Sequence, residues 1–362
     1  MNPVLFTPLK LGEVTAANRI AVPPMCMYSA KIGVAQPFHL AHYARLAQSG
    51  AGLVCIEACA VTPEGRITEG DLGLWSDECE AGIAAVVDAM RTAAPGVKIL
   101  IQLSHAGRKA SRTAPWLGSK PLGIAEGGWR VRAPSDIAFG ADGPRPLPLD
   151  FDECGALVRA FAQAAKRAER AGVDGIELHM AHGYLIHEFL SPLSNTRIDE
   201  YGGAFENRTR FAFETADAVK SAVAARTAVG LRVSATDWVE GGWTLEETIE
   251  LVHGMKRHGL DFVDVSTGGL VPDARIEEAP GYQTSFAARV KAALDMPVFA
   301  CGCITEAAQA ETILRAGLAD GIDVGRGMLD DPNWGWHAAR ALGLKVVPGL
   351  AVPPQYERGL RL

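Results

Sequence analysis

Three things are missing from this sequence of 362 residues: a run of lysine and arginine, an apolar stretch long enough to cross a bilayer, and any Cys-x-x-Cys pair. Each absence excludes something. Without a basic run, and with a formal net charge of −7, the chain lacks the electrostatic drive that wraps nucleic acid or settles on an anionic membrane. Without a bilayer-length apolar segment it is not expected to span a membrane. The N-terminal MNPVLFTPLKLGEV also lacks the basic-then-apolar order of a signal peptide. The seven cysteines (Cys26, Cys55, Cys59, Cys79, Cys154, Cys301, Cys303) are odd in number and scattered, with neither a disulfide framework nor a metal-ligand spacing. A reduced, cytoplasmic protein is the expectation. Small molecules, or further copies of this chain, are the expected partners.

What is present is a repeated alternation. Short apolar, β-branched runs are each followed by a longer stretch of helical periodicity, the pattern of βα units around a parallel sheet. Eight strands are predicted: Arg19–Met25, Leu53–Ala60, Lys98–Leu103, Gly175–His179, Val229–Ala235, Phe262–Ser266, Val298–Gly302 and Gly321–Gly325. Among the helices between them are 151–171 and 245–258, each ending in a basic turn followed by glycine, which is a stop signal. No linker rich in Pro, Ser or charge divides the series, and no Gly-x-Gly-x-x-Gly follows the first strand. A single (β/α)8 barrel is therefore preferred to a doubly wound sheet, with residues 1–362 as one domain.

One connection is too long for this economy. Residues 106–150, after the third strand, carry Trp116, Trp129 and many Gly and Pro, and loops of that length are seldom idle. An excursion over the barrel mouth, hairpin-like in form, is expected. The tail from 343 to 362, with its prolines, is expected to dock on a neighbour or on the barrel's own surface.

Chemistry in such barrels gathers where strands finish. Read in order, those ends hold Cys26, Ala60, Gln102, His179 with His182, Arg232, Ser266, Gly302, and Gly325 with Arg326. An arginine inside "VGLRVSA" must meet a negative group, either a structural partner such as Glu177 or a ligand. Strands seven and eight end in "ACGCIT" and "DVGRG", where glycine lets backbone N–H groups approach a ligand and arginine can fork onto phosphate. From there a ligand body would reach Cys26, Gln102 and Arg232. A flat ring fits that span, with Gln102 donating to and accepting from its edge and Arg232 stabilising negative charge on it. Those are the needs of a flavin.

The motifs "NRIAVPPMCMYS", "EACAVTPEGRI", "QLSHAGRKA", "HMAHGYLIHEFLSPLSNTRIDEYGG", "ENRTRF", "GYQTSFA", "DVGRGMLDDP" and "QYERG" span nearly the whole chain. As a set they resemble the Old Yellow Enzyme family of FMN-dependent ene-reductases, most closely its xenobiotic-reductase-like, thermophilic-type branch. The resemblance implies one noncovalent FMN per subunit, with phosphate at Gly302, Gly325 and Arg326. It implies a ring against Pro23, Pro24, Met25, Cys26 and Ala60, with Gln102 and Arg232 at the pyrimidine edge and Cys26 tuning the potential. By the same likeness His179 and His182 hydrogen-bond the substrate carbonyl, Tyr28 lines the pocket, and Tyr184 is the proton donor. Arg358 matches an arginine lent to the adjacent subunit, implying a homodimer or homotetramer. NADPH or NADH is the implied reductant, and activated alkenes such as enones and maleimides, and also nitro compounds, the implied substrates. Two departures stand out: the long insertion resembles the xenobiotic reductases, whereas "GYQTSFA" resembles shorter-looped relatives. Two rivals are kept: a metal-dependent hydrolase using His179, His182, His187 and Glu188, and a non-catalytic flavin redox sensor built on Cys26.

Overall fold

In the computed structural model, which describes residues 3–360, the eight apolar runs form a closed parallel barrel. Its strands are β1 (Ile20–Val22), β2 (Leu53–Ala60), β3 (Lys98–Ser104), β4 (Gly175–Met180), β5 (Ala228–Ser234), β6 (Phe262–Ser266), β7 (Val298–Ala300) and β8 (Gly321–Asp323). Each pairs with the next in sequence, and β8 closes on β1 with Ile322 opposite Ile20. The (β/α)8 architecture is as the periodicity predicts. Three strands are shorter than expected: β1 stops at Val22, β7 at Ala300 and β8 at Asp323. The prolines at 23 and 24 lack the N–H a ladder requires. Gly302, with φ of 105°, has a backbone outside the strand region.

The helices start and stop where side chains satisfy their free ends. Phe151–Arg170 and Leu245–Arg257 open on reciprocal capping boxes, Asp150 with Glu153 and Thr244 with Glu247. Both end before glycines of positive φ, Gly172 at 94° and Gly259 at 83°. Among the described residues no helix is long and apolar enough to cross a membrane.

The barrel bottom is sealed by an antiparallel hairpin, Leu9–Leu11 against Val14–Ala16. Its side chains pack with Leu53, Leu100, Phe262 and Phe299 into an apolar floor. Gly230 and Gly321 make room for the two rings: a Cβ at Gly230 would lie 2.5 Å from Phe262 and one at Gly321 2.3 Å from Phe299.

The excursion holds three short 3-10 turns, at Gly107–Lys109, Pro115–Leu117 and Ile124–Glu126. It is not a hairpin: Arg132–Ala133 and Leu147–Pro148 pair in parallel. The Gly- and Pro-rich stretch 134–146 carries the chain back round, so that the second segment runs the same way as the first. In the tail, Leu350 and Val352 pack against the barrel's own core, whereas Arg358 is exposed on a last short turn. Positions 1–2 and 361–362, the ends of the expected domain and tail, lie outside the described residues.

Candidate functional site

Side chains two residues apart on a strand share a face, and this decides what stands above the apolar floor. Two positions beyond Leu100, Gly230, Phe262, Phe299 and Gly321 come Gln102, Arg232, Asp264, Cys301 and Asp323. On β4 the same alternation gives Glu177 and then His179. Arg232 is buried and pairs through Nη1 with Asp264 Oδ2 at 3.2 Å. Its partner is therefore not Glu177, whose Oε1 accepts from Gln102 Nε2 at 2.7 Å. Register explains the difference: Arg232 stands beside His179 and Asp264, whereas Glu177 stands beside Gly230. Arg232 Nε is buried with no protein partner, which leaves one cationic donor for a ligand.

A cavity of about 460 Å³ opens above Arg232, walled by Pro23, Pro24 and Met25 and bordered at its far end by Gly302, Gly325 and Arg326. A side chain on Gly302 would meet the Gln283 amide at 2.9 Å, so only glycine leaves that rim open. Arg326 is exposed and donates from Nη2 to Glu278 Oε2 at 3.1 Å. An apolar wall, an unpartnered guanidinium N–H at one end, and a glycine rim with an arginine at the other fit a flat ring carrying a phosphate tail. These residues fit noncovalent FMN.

Beside the cavity lies the histidine end. His179 Nδ1 accepts from the Ala181 N–H at 3.3 Å, so in the neutral ring the proton sits on Nε2, which faces His182 Nδ1 at 3.5 Å. His182 Nε2 meets Ser266 Oγ at 2.7 Å. Burial, with Arg232 and Lys109 adding their charge, holds both histidines well below the usual imidazole range, so they are neutral donors at neutral pH. Ser266 Oγ donates to Gln283 Oε1 at 3.3 Å, so it accepts from His182 Nε2, and His182 Nδ1 faces the His179 proton. The Tyr184 ring stands edge-on to His179 at 4.8 Å. Burial raises its phenol well above the ordinary tyrosine range, and the nearby Cys26 and Tyr28 add to the rise.

The turn carrying His182 and Tyr184 is fixed from below. Gly183 has φ of 72°, and a Cβ there would strike Gly269 O at 2.3 Å. Its N–H donates to His187 Nδ1 at 2.9 Å, and His187 Nε2 lies 2.9 Å from Asp237 Oδ1. Asp237 also accepts from Ser191 Oγ and the Trp243 N–H at 2.6 and 2.7 Å. Burial raises the Asp237 carboxyl, but His187 and these hydrogen bonds outweigh that and hold it below the usual carboxylate range. Glu188 accepts from the Arg108 N–H at 2.8 Å. With both His187 nitrogens and Glu188 committed in this way, the ligand set of the hydrolase reading does not assemble.

The turn 26–28 has its own anchor. Buried Glu57 accepts from the Met27 N–H at 2.9 Å and from Tyr43 Oη at 3.1 Å, holding Tyr28 at a φ of 48°. Cys26 is half-buried, and burial together with Asp71 and Glu57 pushes its thiol up. A protonated thiol is a poor redox sensor, which removes the motive for that reading. Ala60 closes β2. Arg358, exposed on the last short turn, makes no described contact with the other sequence-predicted residues.

Sequence reasoning missed Asp264, Glu57, Asp237 and Lys109. The Lys109 ammonium donates to His182 O at 2.8 Å and Gly269 O at 2.9 Å, and lies 5.2 Å from the Tyr184 ring centre. Burial, reinforced by Arg112, lowers it to about 8.

Comparison with known proteins bears on the family and the fold. A model of the NADH:flavin oxidoreductase / NADH oxidase family matches residues 4–344. The chain is 45% identical over 357 residues to the NADPH dehydrogenase of Bacillus subtilis (strain 168), covering 98% of each. It superposes on morphinone reductase in complex with tetrahydroNAD with a TM-score of 0.76 at 29% identity, over 95% of this chain and 92% of that one. A 2-naphthoyl-CoA reductase complex with 2-naphthoyl-CoA gives a TM-score of 0.85 at 24% identity, over 96% of this chain and 54% of that one. This last likeness concerns the fold alone.

Proposed function

The chain belongs to the NADH:flavin oxidoreductase / NADH oxidase family, and from that premise we propose that this FMN-dependent NADPH dehydrogenase is an ene-reductase of activated alkenes. Bound FMN, reduced by NADPH or NADH, supplies the hydride for the alkene's β-carbon. The protein does the rest. His179 and His182 hold the carbonyl oxygen of an enone or maleimide, where negative charge grows as the hydride arrives and neutral donors in a dry site are worth most. Tyr184 keeps its proton through the pH range of the reaction and gives it to the α-carbon. Arg232, with its unpartnered Nε–H, and Gln102 would hold the polar edge of the ring. Pro23, Pro24, Met25, Cys26 and Ala60 would bear on the ring, Tyr28 would close the outer wall, and Gly302, Gly325 and Arg326 would hold the phosphate. Arg358 completes a neighbouring subunit's pocket in a homodimer or homotetramer.

The observation that carries this reading is the pair of neutral histidines, His179 buried and His182 half-buried, with the Tyr184 ring on His179, beside a cavity that fits a flavin. Its test is stopped-flow spectroscopy of Tyr184→Phe. Reduction of the yellow enzyme by NADPH proceeds as in the parent, while reoxidation by 2-cyclohexenone slows by roughly 10²-fold, the scale of a lost positioned acid. Equal reoxidation rates reject Tyr184 as donor; a protein that takes up no FMN rejects the whole reading.

A further inference from the structure

We propose that Asp264 and Asp323 share a single proton on the barrel floor, so that Asp264, as a positioning residue, holds Arg232 toward the cofactor. The proposal rests on the flavin reading above. Three acids and one base meet in this layer: Glu177 from β4, Arg232 from β5, Asp264 from β6 and Asp323 from β8, none more than 8% exposed. Beneath them are the rings of Phe262 and Phe299, 6.0 Å apart, and a cavity of about 10 Å³ lined by these rings and the three acids has room for about one water. The other groups facing the cluster are the thiols of Cys55 and Cys301, both pushed up by burial and so uncharged, and the Gln102 amide.

Charge decides the protonation. Three ionised carboxylates around one guanidinium would leave two net negative charges in a dry site, where like charges in contact cannot both persist. Asp264 and Asp323 line one small cavity together with Glu177, and ionised carboxylates are acceptors only. One must carry a proton. Asp264 faces Arg232 at 3.2 Å, so the proton belongs to Asp323, which is raised by burial and by Asp264. Glu177 is likewise raised, by burial first, to about 8. Asp264 Oδ1, Asp323 Oδ2 and Arg232 Nε are buried without partners. Arg232 is thus held by Asp264 through Nη1 and, more weakly, by Cys301 Sγ at 3.8 Å through Nη2, with Nε left without a partner. At neutral pH the layer is neutral overall, and it gains negative charge as pH rises.

The sign of the pH effect follows. A carboxyl whose folded-state value is raised holds a proton the unfolded chain has released, so stability falls as pH rises above the unfolded value, through the window up to the folded one. Asp323→Asn keeps a donor for Asp264 but cannot titrate. In urea melts of the apoprotein between about pH 5 and 8, the parent midpoint should decline with pH more steeply than that of Asp323→Asn, by up to about one proton in linkage slope. Titration of each apoprotein with FMN supplies the second arm. Asp323→Asn should bind within about twofold of the parent, whereas Asp264→Asn should bind roughly tenfold more weakly, the scale of one lost charge-assisted contact. Equal slopes in parent and Asp323→Asn overturn the shared proton. Equal FMN affinity in the two variants overturns the positioning role. If Asp264→Asn does not fold, the Asp323→Asn slope decides alone. Because that arm needs no flavin, a protein that refuses FMN would end the functional reading without deciding this one.

Discussion

At the histidine end of the barrel mouth, His179, His187, Glu188 and Asp237 are buried, and each has at least one hydrogen-bond or ionic partner from the protein itself. At the opposite end, Gly302 and Gly325 border an open cavity, and Arg326 reaches out to another exposed side chain, Glu278. The two ends answer different demands. Polarising a carbonyl and delivering a proton require donors fixed to fractions of an ångström before the substrate arrives, and buried hydrogen bonds provide that fixity. Gripping a phosphate requires backbone access and positive charge, which glycine and one exposed arginine give without a preformed cage.

The strongest way to break the rigid end is to remove its deepest anchor. Asp237→Ala leaves His187, Ser191 Oγ and the Trp243 N–H without their buried acceptor. Loss of about 3 kcal/mol of unfolding free energy in urea is expected, the scale of a buried pair losing one partner. The Gly183–Tyr184 turn should loosen with it, slowing enone reoxidation more than flavin reduction. A loss below about 1 kcal/mol, a surface value, would mean that the histidine end is held by something else.

A smaller perturbation sharpens the same comparison. His179→Ala removes one of the two proposed carbonyl donors while leaving the cavity wall and the Arg326 rim intact. Phenols, whose oxygen resembles an enolate, should bind roughly tenfold more weakly by flavin absorbance, with FMN retained, since one hydrogen bond in a dry site is worth about 1.5 kcal/mol. Undiminished phenol binding would place the carbonyl elsewhere. Release of FMN would mean that the two ends are not independent.

Much of this contrast could be read from the residues, and the reason differs at each position. The eight-strand count followed from periodicity, because Leu53–Ala60 and Phe262–Ser266 are short apolar runs with turns on both sides. The expected ends at Met25, Gly302 and Gly325 overrun the strand ends at Val22, Ala300 and Asp323, because apolar and small residues continue past the last ladder bond. Asp264 was passed over although Phe262, Asp264 and Ser266 alternate along one strand. Recognising it requires knowing which parity faces inward, and Gly230, cut back beneath the Phe262 ring, was the available signal. Kind of charge offers Glu177 as one possible partner of Arg232 beside a ligand, whereas strand register selects Asp264. The parallel pairing inside 106–150 had no local signal, since the barrel surface beneath the excursion directs it.

The smallest effects belong at the open end. Arg326 is exposed and already paired with Glu278 at 3.1 Å, so a phosphate there gains one arginine contact but must displace a carboxylate and compete with water. Arg326→Ala should therefore weaken FMN binding to the apoprotein only about fivefold, the scale of a single exposed charge contact near 1 kcal/mol. Glu278→Gln should act the other way, tightening FMN by roughly twofold as the guanidinium is released, and both changes should shrink in high salt because exposed charges are screened. Flavin-fluorescence titrations at low and high ionic strength measure both. A hundredfold loss with Arg326→Ala would mean that this end is as preorganised as the histidine end, because an exposed arginine that yields to salt cannot contribute so much unless the bound phosphate buries it.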